Sequence, residues 1–191
     1  MQLSKSWLTR PLFVCPPRIA RVLKVASLVA LLLLIVAPGL VTLAWQLRHG
    51  NTIDCRGKAI FVPARWIAEI GDNDDARLTK LPLVVSLKPG AGDLSMISVG
   101  RSLSPHGEDV EVQYKTFESL FWNLHSDLGE AISGPIRIGS GPQEAFCMEG
   151  ATPGTTRSSA SCAIEGGKWT AEFIGDKKDM QEFYAIVRRL N

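Results

Sequence analysis

The first 53 residues contain no aspartate or glutamate, although the chain of 191 residues carries 19 acidic side chains. The same stretch is not short of basic residues, since five of them precede position 25: Lys5, Arg10, Arg18, Arg21 and Lys24. Lysine and arginine clustered on one side of an apolar segment stay on the cytoplasmic side of a membrane. We therefore expect residues 1–24 to form a basic cytoplasmic segment.

Residues 25–47 contain no charged side chain at all. About 20 apolar residues suffice to cross a bilayer core, and such a segment crosses as a helix. The sequence predicts a transmembrane helix over 25–47, a tether over 48–58 and an extracytoplasmic domain over 59–191. The alternative is a cleaved signal peptide with a processing site at 42–44, but the apolar run is longer than the roughly 7–15 residues usual for the apolar region of a signal peptide.

The part of the chain beyond residue 48 has no excess of positive charge. It carries 15 lysines and arginines against 19 aspartates and glutamates, a net charge of −4. Binding to nucleic acid relies on clustered lysine and arginine, so we predict no nucleic-acid partner. The expected partners are the lipid bilayer, through the N-terminal helix, and a protein on the periplasmic or extracellular side.

Motifs for catalysis or for metal binding are also missing. The three histidines, His49, His106 and His125, lie far apart and form no HExxH pair. There is no Gly-x-Ser-x-Gly elbow, and the sequence around Gly166 and Gly167 lacks the other residues of a phosphate-binding loop. We therefore predict no catalytic residue, no cofactor and no metal ligand, and we expect His106 and His125 to be surface residues.

The chain has only four cysteines, and one of them, Cys15, lies before the apolar segment. Cys147 and Cys162 fall in neighbouring strand-like runs joined by a turn-rich stretch, so we predict a disulfide between them. Cys55 is then left over. It is either a thiol near the membrane without a partner or a site of intermolecular bridging.

Hydrophobic periodicity predicts an α+β fold, in which an antiparallel sheet packs with two helices behind the transmembrane helix. Strands are expected at 59–66, 83–87, 94–103, 136–138, 145–149, 161–165 and 168–174. A main helix is predicted to pack on the sheet through Phe117, Leu120, Phe121, Leu124 and Leu128. A final helix, capped by Asp176, should bury Met180, Phe183, Val187 and Leu190.

The order of these elements resembles the PsbP-like α+β fold. The resemblance covers about residues 59–190 and includes the Pro63 to Trp66 segment, Trp169 in a late strand, and a last helix that contains Phe183. Members of that group are mostly non-enzymatic, so the resemblance implies a docking or assembly role. The membrane anchor and the Cys147–Cys162 pair are departures from the group, and no partner is carried over.

The function expected from these observations is that of a membrane-anchored envelope protein that binds or assists another protein. The alternative is a small-ligand-binding protein or an enzyme with an unrecognised site. Loops on a rigid scaffold often carry function, so candidate interaction residues are Asp72, Asp74, Asp75, His106, Glu108 and Arg157. The alternative for each loop, and the one favoured for any single loop, is a merely solvated turn.

Overall fold

The computed structural model describes residues 17–82, 94–102 and 109–190. A long helix, α1 (Pro17–His49), opens the described chain and contains Pro38. Nearly all of its large apolar side chains are exposed, as expected for residues that face lipid. Its Arg21–His49 portion is long and apolar enough to cross a membrane. The helix begins before residue 25, because the preceding basic residues continue it without a break.

A short hairpin follows the helix after two residues. It consists of β1 (Thr52–Cys55) and β2 (Lys58–Phe61), joined by a turn at Arg56 and Gly57. Together with its turn, this hairpin includes residues 52–58, which are seven of the eleven residues expected to form a tether. Ile60 and Cys55 are buried in the main core, so the hairpin belongs to the folded domain.

The remaining seven strands of the described residues form one antiparallel sheet in the order β3-β4-β5-β9-β8-β7-β6. Their bounds are β3 (Trp66–Ile70), β4 (Ala76–Lys80), β5 (Met96–Arg101), β6 (Ala131–Ile138), β7 (Ala145–Ala151), β8 (Arg157–Ile164) and β9 (Trp169–Asp176). This sheet and its helices confirm the α+β prediction. The expected strand at 83–87 and the turn after it lie outside the described residues.

One face of the sheet is covered by the last helix, α3 (Met180–Leu190), and by the β1–β2 hairpin. Asp176 accepts a hydrogen bond from the Lys178 amide and caps the short 3-10 turn that leads into α3. The four predicted core residues of this helix, Met180, Phe183, Val187 and Leu190, are all buried. They pack with Trp66 and Phe173 in the larger of the two apolar cores.

The opposite face carries α2 (Val110–Asp127) over β6, β7 and β8. Tyr114, Phe121 and His125 are the buried residues of this helix, and Tyr114 stacks on Phe146 of β7 with ring centroids 4.7 Å apart. The predicted packing stripe was therefore wrong in part, because Leu120, Leu124 and Leu128 are 64%, 62% and 64% exposed. The prediction that His125 is a surface residue was wrong as well.

The helix α2 buries Tyr114 and His125 rather than the leucines because both residues can be buried without losing their hydrogen bonds. The Tyr114 hydroxyl donates to the carbonyl oxygen of Glu144, and the His125 ring lies 2.6 Å from the Glu130 carboxylate. Both aromatic rings then bring a large apolar area to the sheet. Leu120, Leu124 and Leu128 form no such polar contact, and they lie on the exposed side of the helix.

The two predicted cysteines lie directly opposite each other on β7 and β8. Their Sγ atoms are 2.09 Å apart, which is a disulfide-bonding distance. Cys55 is buried, and its thiol donates to the carbonyl oxygen of Asp74 at 3.1 Å.

Candidate functional site

A cavity of about 300 Å³ lies where the end of β4, the residues before β5, the start of β8 and the short 3-10 turn that precedes α3 meet. We call it the Lys80 cavity. Its charged lining residues are the cations Arg65, Lys80, Arg157 and Lys178 and the carboxylates of Asp176 and Asp179. Its volume is at the lower end of the range for small-molecule sites.

Lys80 is the most unusual residue of this cavity, since a lysine is rarely as little as 9% exposed. Alternation along β4 places it on the same face as Ala76 and Leu78, which are both buried. Its Nζ atom lies 3.0 Å from the Asp179 carboxylate and 2.8 Å from that of Glu182. Two carboxylates therefore compensate the cost of taking the ammonium group out of water.

Asp179 is held from a second side by Ser95. The Ser95 hydroxyl donates to the Asp179 carboxylate at 2.7 Å, and its oxygen accepts from the amide of Asp176. Gly175 permits this arrangement, because a Cβ atom at this position would lie 2.3 Å from the Ser95 oxygen. The Asp179 carboxylate is thus held between Lys80 on β4 and Ser95, which directly precedes β5.

Arg65 enters the cavity from the turn that precedes β3. Its φ angle is 71°, in the left-handed region that residues other than glycine seldom adopt. The amide of Trp66 closes the turn on the carbonyl oxygen of Pro63, and the amide of Leu81 donates to the carbonyl oxygen of Arg65. Backbone contacts on both sides therefore maintain a conformation that would be more favourable for glycine.

A second polar cluster lies under α2, on the opposite face of the sheet. His125 Nδ1 is 2.6 Å from Glu130, the Ser159 hydroxyl donates to the same carboxylate at 2.9 Å, and Thr152 donates to its other oxygen. Burial raises the pKa of the Glu130 carboxyl, but the hydrogen bonds from His125 and Ser159 outweigh it and hold the pKa below its ordinary value.

This cluster contains the residue types of a nucleophilic triad but not its geometry. In a triad the nucleophile and the carboxylate lie at opposite nitrogens of the histidine ring. Here the Ser159 hydroxyl, at 3.3 Å, and the Glu130 carboxylate both lie at Nδ1. The arrangement is that of a buried hydrogen-bond network that positions α2 on the sheet.

The predicted interaction residues are dispersed rather than brought together. Asp72 and Asp74 are exposed in the β3–β4 loop, and Asp74 pairs with Arg56 at 3.4 Å. Asp75 lies against the backbone of Gly100 on β5, where a Cβ atom would be 2.2 Å from its carboxylate. Of the remaining candidates, Arg157 lies on β8 and lines the Lys80 cavity, while His106 and Glu108 lie outside the described residues.

Sequence reasoning missed the residues that form the Lys80 cavity. Lys80 and Asp179 are 99 positions apart, and no motif links them. The one local signal is the alternation Ala76, Leu78, Lys80, which places a lysine on the buried face of a short strand. Within residues 17–82, 94–102 and 109–190, no group of three histidine, cysteine, aspartate or glutamate residues is arranged to hold a metal ion.

In comparisons with known proteins, no protein family, no curated protein and no solved structure matches this chain.

Proposed function

We propose that the protein is a membrane-anchored, extracytoplasmic module that binds another protein of the cell envelope. The observation that carries this proposal is the row of leucines on the outer side of α2. Leu120, Leu124 and Leu128 follow one another at four-residue spacing, and each is more than 60% exposed. Contiguous exposed apolar side chains are typical of protein-binding surfaces.

The placement of the domain outside the cytoplasm has two supports. The basic residues before the apolar helix and the lack of acidic ones favour a cytoplasmic N-terminus. The Cys147–Cys162 pair at bonding distance favours an oxidising compartment for the folded domain. The resemblance to PsbP-like proteins is consistent with an assembly or docking role.

A reporter fusion tests the topology. Alkaline phosphatase joined after Asn191 should be active, because the enzyme folds only where its own disulfides form. The same reporter joined before the apolar helix should be inactive. The reverse pattern of activities would show that the domain lies in the cytoplasm and would exclude an envelope role.

Site-specific photocrosslinking tests the leucine row. A photoreactive amino acid at Leu124 of the full chain in native membranes should give a discrete protein adduct, and Leu120→Gln should weaken it. The matched control is the same photoreactive group at Ile174. This residue is 54% exposed, but it lies on β9, opposite Met96 of β5. Equal adducts at both positions, or only lipid adducts at Leu124, would contradict a specific protein-binding surface.

A second candidate function is the binding of a small ligand, and the Lys80 cavity is the observation that favours it. The cavity combines convergent ionisable groups with a buried lysine, as ligand sites commonly do. The two functions are compatible, since the leucine row and the cavity lie on opposite sides of the sheet.

A further inference from the structure

We propose that the domain rests on the outer surface of the bilayer through the sheet face beside α2. The contact is a row of four side chains that crosses β3, β4, β5 and β9: Ile67, Thr79, Met96 and Ile174. We call it the Met96 row. The proposal rests on the proposed anchoring of α1 in a membrane, and the occupant of the row is the boundary between the lipid headgroups and the acyl chains.

The pairing of the strands places these side chains next to one another. Each residue of the row lies directly opposite the next one on the neighbouring strand. Ile174 also lies opposite Ser159 of β8, and the Ser159 hydroxyl donates to Glu130 in the polar cluster under α2. Residues opposite each other on antiparallel strands point to the same side of a sheet. The Met96 row therefore lies on the α2 side and extends about 14 Å across four strands, at a spacing of roughly 4.8 Å.

The row is exposed although it contains large apolar side chains. Met96 is 50% exposed and Ile174 is 54% exposed, while the other two residues are half-buried. The helix α2 lies over β6, β7 and β8, and the row lies on the strands beyond these three. Adjoining exposed apolar side chains are typical of a surface that contacts a protein or a membrane. The surroundings of the row favour the membrane.

The row begins beside the outer end of α1. The carbonyl oxygen of Pro63 accepts from the side-chain nitrogen of Gln46 at 3.0 Å and from the amide of Trp66 at 3.2 Å. Trp66 is the first residue of β3 and directly precedes Ile67. The apolar segment ends at Leu47, so this end of the sheet lies beside the point where α1 is expected to leave the bilayer. The Met96 row is therefore at the anchored end of the sheet.

The polarity of this sheet face changes with distance from the anchored end. Two positions farther along each strand, about 7 Å away, the same side of the sheet carries Glu69, Arg77, Ser98 and Glu172. The three charged residues of this second row are exposed. The two rows run parallel, with the apolar one next to the anchor. A bilayer surface favours this order, because an interfacial contact buries apolar side chains at the acyl boundary and keeps charged ones in water.

Ile174 and Glu172 form a matched pair for the test. Both are exposed residues of β9 on the same side of the sheet, but only Ile174 belongs to the Met96 row. Each is replaced by cysteine in a separate full-length chain that also carries Cys15→Ser, and the new thiol is labelled with the environment-sensitive dye NBD. Leu32→Cys, at a position of α1 that is 62% exposed, gives a third labelled chain that reports on the anchoring itself. Cys55 is buried, and the Cys15→Ser chain alone measures any labelling of it.

The measurement is dye fluorescence in phosphatidylcholine vesicles at a low ratio of protein to lipid, with and without nitroxide-labelled lipids. We expect the nitroxide to reduce emission strongly at Leu32→Cys and Ile174→Cys and much less at Glu172→Cys. Emission from Ile174→Cys should also lie at shorter wavelength than emission from Glu172→Cys, because the dye leaves water. In the chain labelled at position 174, Met96→Glu should abolish the quenching, since a carboxylate resists transfer to the acyl boundary, whereas Met96→Leu should retain it.

The three labelled positions separate the possible failures. Quenching at Leu32→Cys without quenching at Ile174→Cys would overturn this proposal and leave the anchoring intact. Equal quenching at the two positions of β9 would overturn it as well, because the contact would not follow the division between the rows. A wavelength shift at Ile174→Cys that grows with the ratio of protein to lipid, without quenching, would show that a second copy covers the row. No quenching at Leu32→Cys would refute the anchoring, and this proposal with it.

Urea unfolding provides the folding control. Both Met96 variants should retain the unfolding midpoint of the parent chain, because the side chain at this position is half exposed. Loss of quenching in a Met96→Glu chain with the parent midpoint then reflects a lost contact with lipid. The comparison of Ile174→Cys with Glu172→Cys needs neither variant and decides the proposal by itself.

The Met96 row and the leucine row are different surfaces. The leucines lie on α2, whereas the Met96 row lies on four strands of the sheet, so protein binding by the leucines can fail without affecting this proposal. In native membranes, a photoreactive group at Ile174 should give lipid adducts and no discrete protein adduct. That result keeps Ile174 a control for protein adducts at Leu124.

Discussion

Replacing Lys80 by methionine should destabilise the domain by about 3 kcal/mol, the lower end of the range of roughly 3–5 kcal/mol for breaking a buried ion pair. Methionine retains an apolar side chain at this position, where the Lys80 ammonium lies 5.7 Å from the centroid of the Trp66 ring, so the change chiefly removes the positive charge. The Asp179 carboxylate, with its side chain 7% exposed, would then be a buried charge without a cation. Glu182 is 38% exposed and can be hydrated, and Ser95 still donates to Asp179, so we place the cost at the lower end.

Urea unfolding of the full chain in micelles, followed by tryptophan fluorescence, measures this cost at an unchanged dependence on denaturant. The matched control is Lys178→Met, which removes a lysine from an exposed pair at the same cavity and should cost about 0–1 kcal/mol. The double variant Lys80→Met with Asp179→Asn should recover at least half of the loss, because it removes the unpaired charge and keeps an acceptor for Ser95. A loss in Lys80→Met no larger than in Lys178→Met would refute the reasoning.

Three further predictions concern other parts of the domain. Gly150→Ala should cost about 1–3 kcal/mol in the same urea assay, because its Cβ atom would lie 2.3 Å from the Glu130 carboxylate. Gly71→Ala is the control, since its Cβ would meet the flexible Arg77 side chain at 3.2 Å and the Asp75 carbonyl oxygen at an ordinary contact distance of 3.5 Å, and equal effects would contradict the close-packing argument. The hydrogen bonds that lower the Glu130 pKa should stabilise the fold fully above about pH 4.5 and progressively less as the pH falls through the lower folded value. Glu130→Gln should therefore flatten the loss of stability below about pH 4.5, and an unchanged slope would assign that loss to other groups. Burial raises the pKa of the Cys55 thiol, so in a Cys15→Ser background maleimide should label Cys55 only after denaturation; rapid labelling of the folded chain would show that the thiol is accessible.

The elements that the sequence predicted correctly are those whose patterns are local. The final helix buries the predicted stripe of Met180, Phe183, Val187 and Leu190, and Ile186 beside it, because its large aliphatic side chains all lie on one face. The Cys147–Cys162 contact also follows from neighbouring strands and an intervening turn. Both depend on residues fewer than 20 positions apart.

The orientation of α2 could not be predicted in this way, because two overlapping stripes compete on one helix. Counting apolar residues favours Leu120 and Leu124, but hydrogen bonding and ring stacking favour Tyr114 and His125. The choice depends on Glu144 and Glu130, which lie beyond the helix. Hydrophobic periodicity alone does not account for hydrogen-bonding partners outside the helix.

The candidate site was inaccessible to sequence reasoning for a related reason. Lys80 would be interpreted as an exposed strand residue unless its partners Asp179 and Glu182 were known, and these are about 100 positions away. The unusual feature of Arg65 is a backbone angle, which no residue type in this turn reveals. The sequence therefore predicts the scaffold better than the site that the scaffold carries.

Under the proposed anchoring of α1 in a membrane, the short connection between this helix and the domain limits the space in which the domain can meet a partner. A flexible tether of 11 residues would have a root-mean-square length of about 17–20 Å, so the domain could move that far from its anchor. Instead, α1 ends at His49 and β1 begins at Thr52, while Trp45 packs against the core and Gln46 bonds to Pro63. In the proposed anchored form, the domain then searches a thin layer at one height above the bilayer. Within that layer the effective concentration towards another membrane protein is high, and a partner that presents its surface farther from the membrane is out of reach.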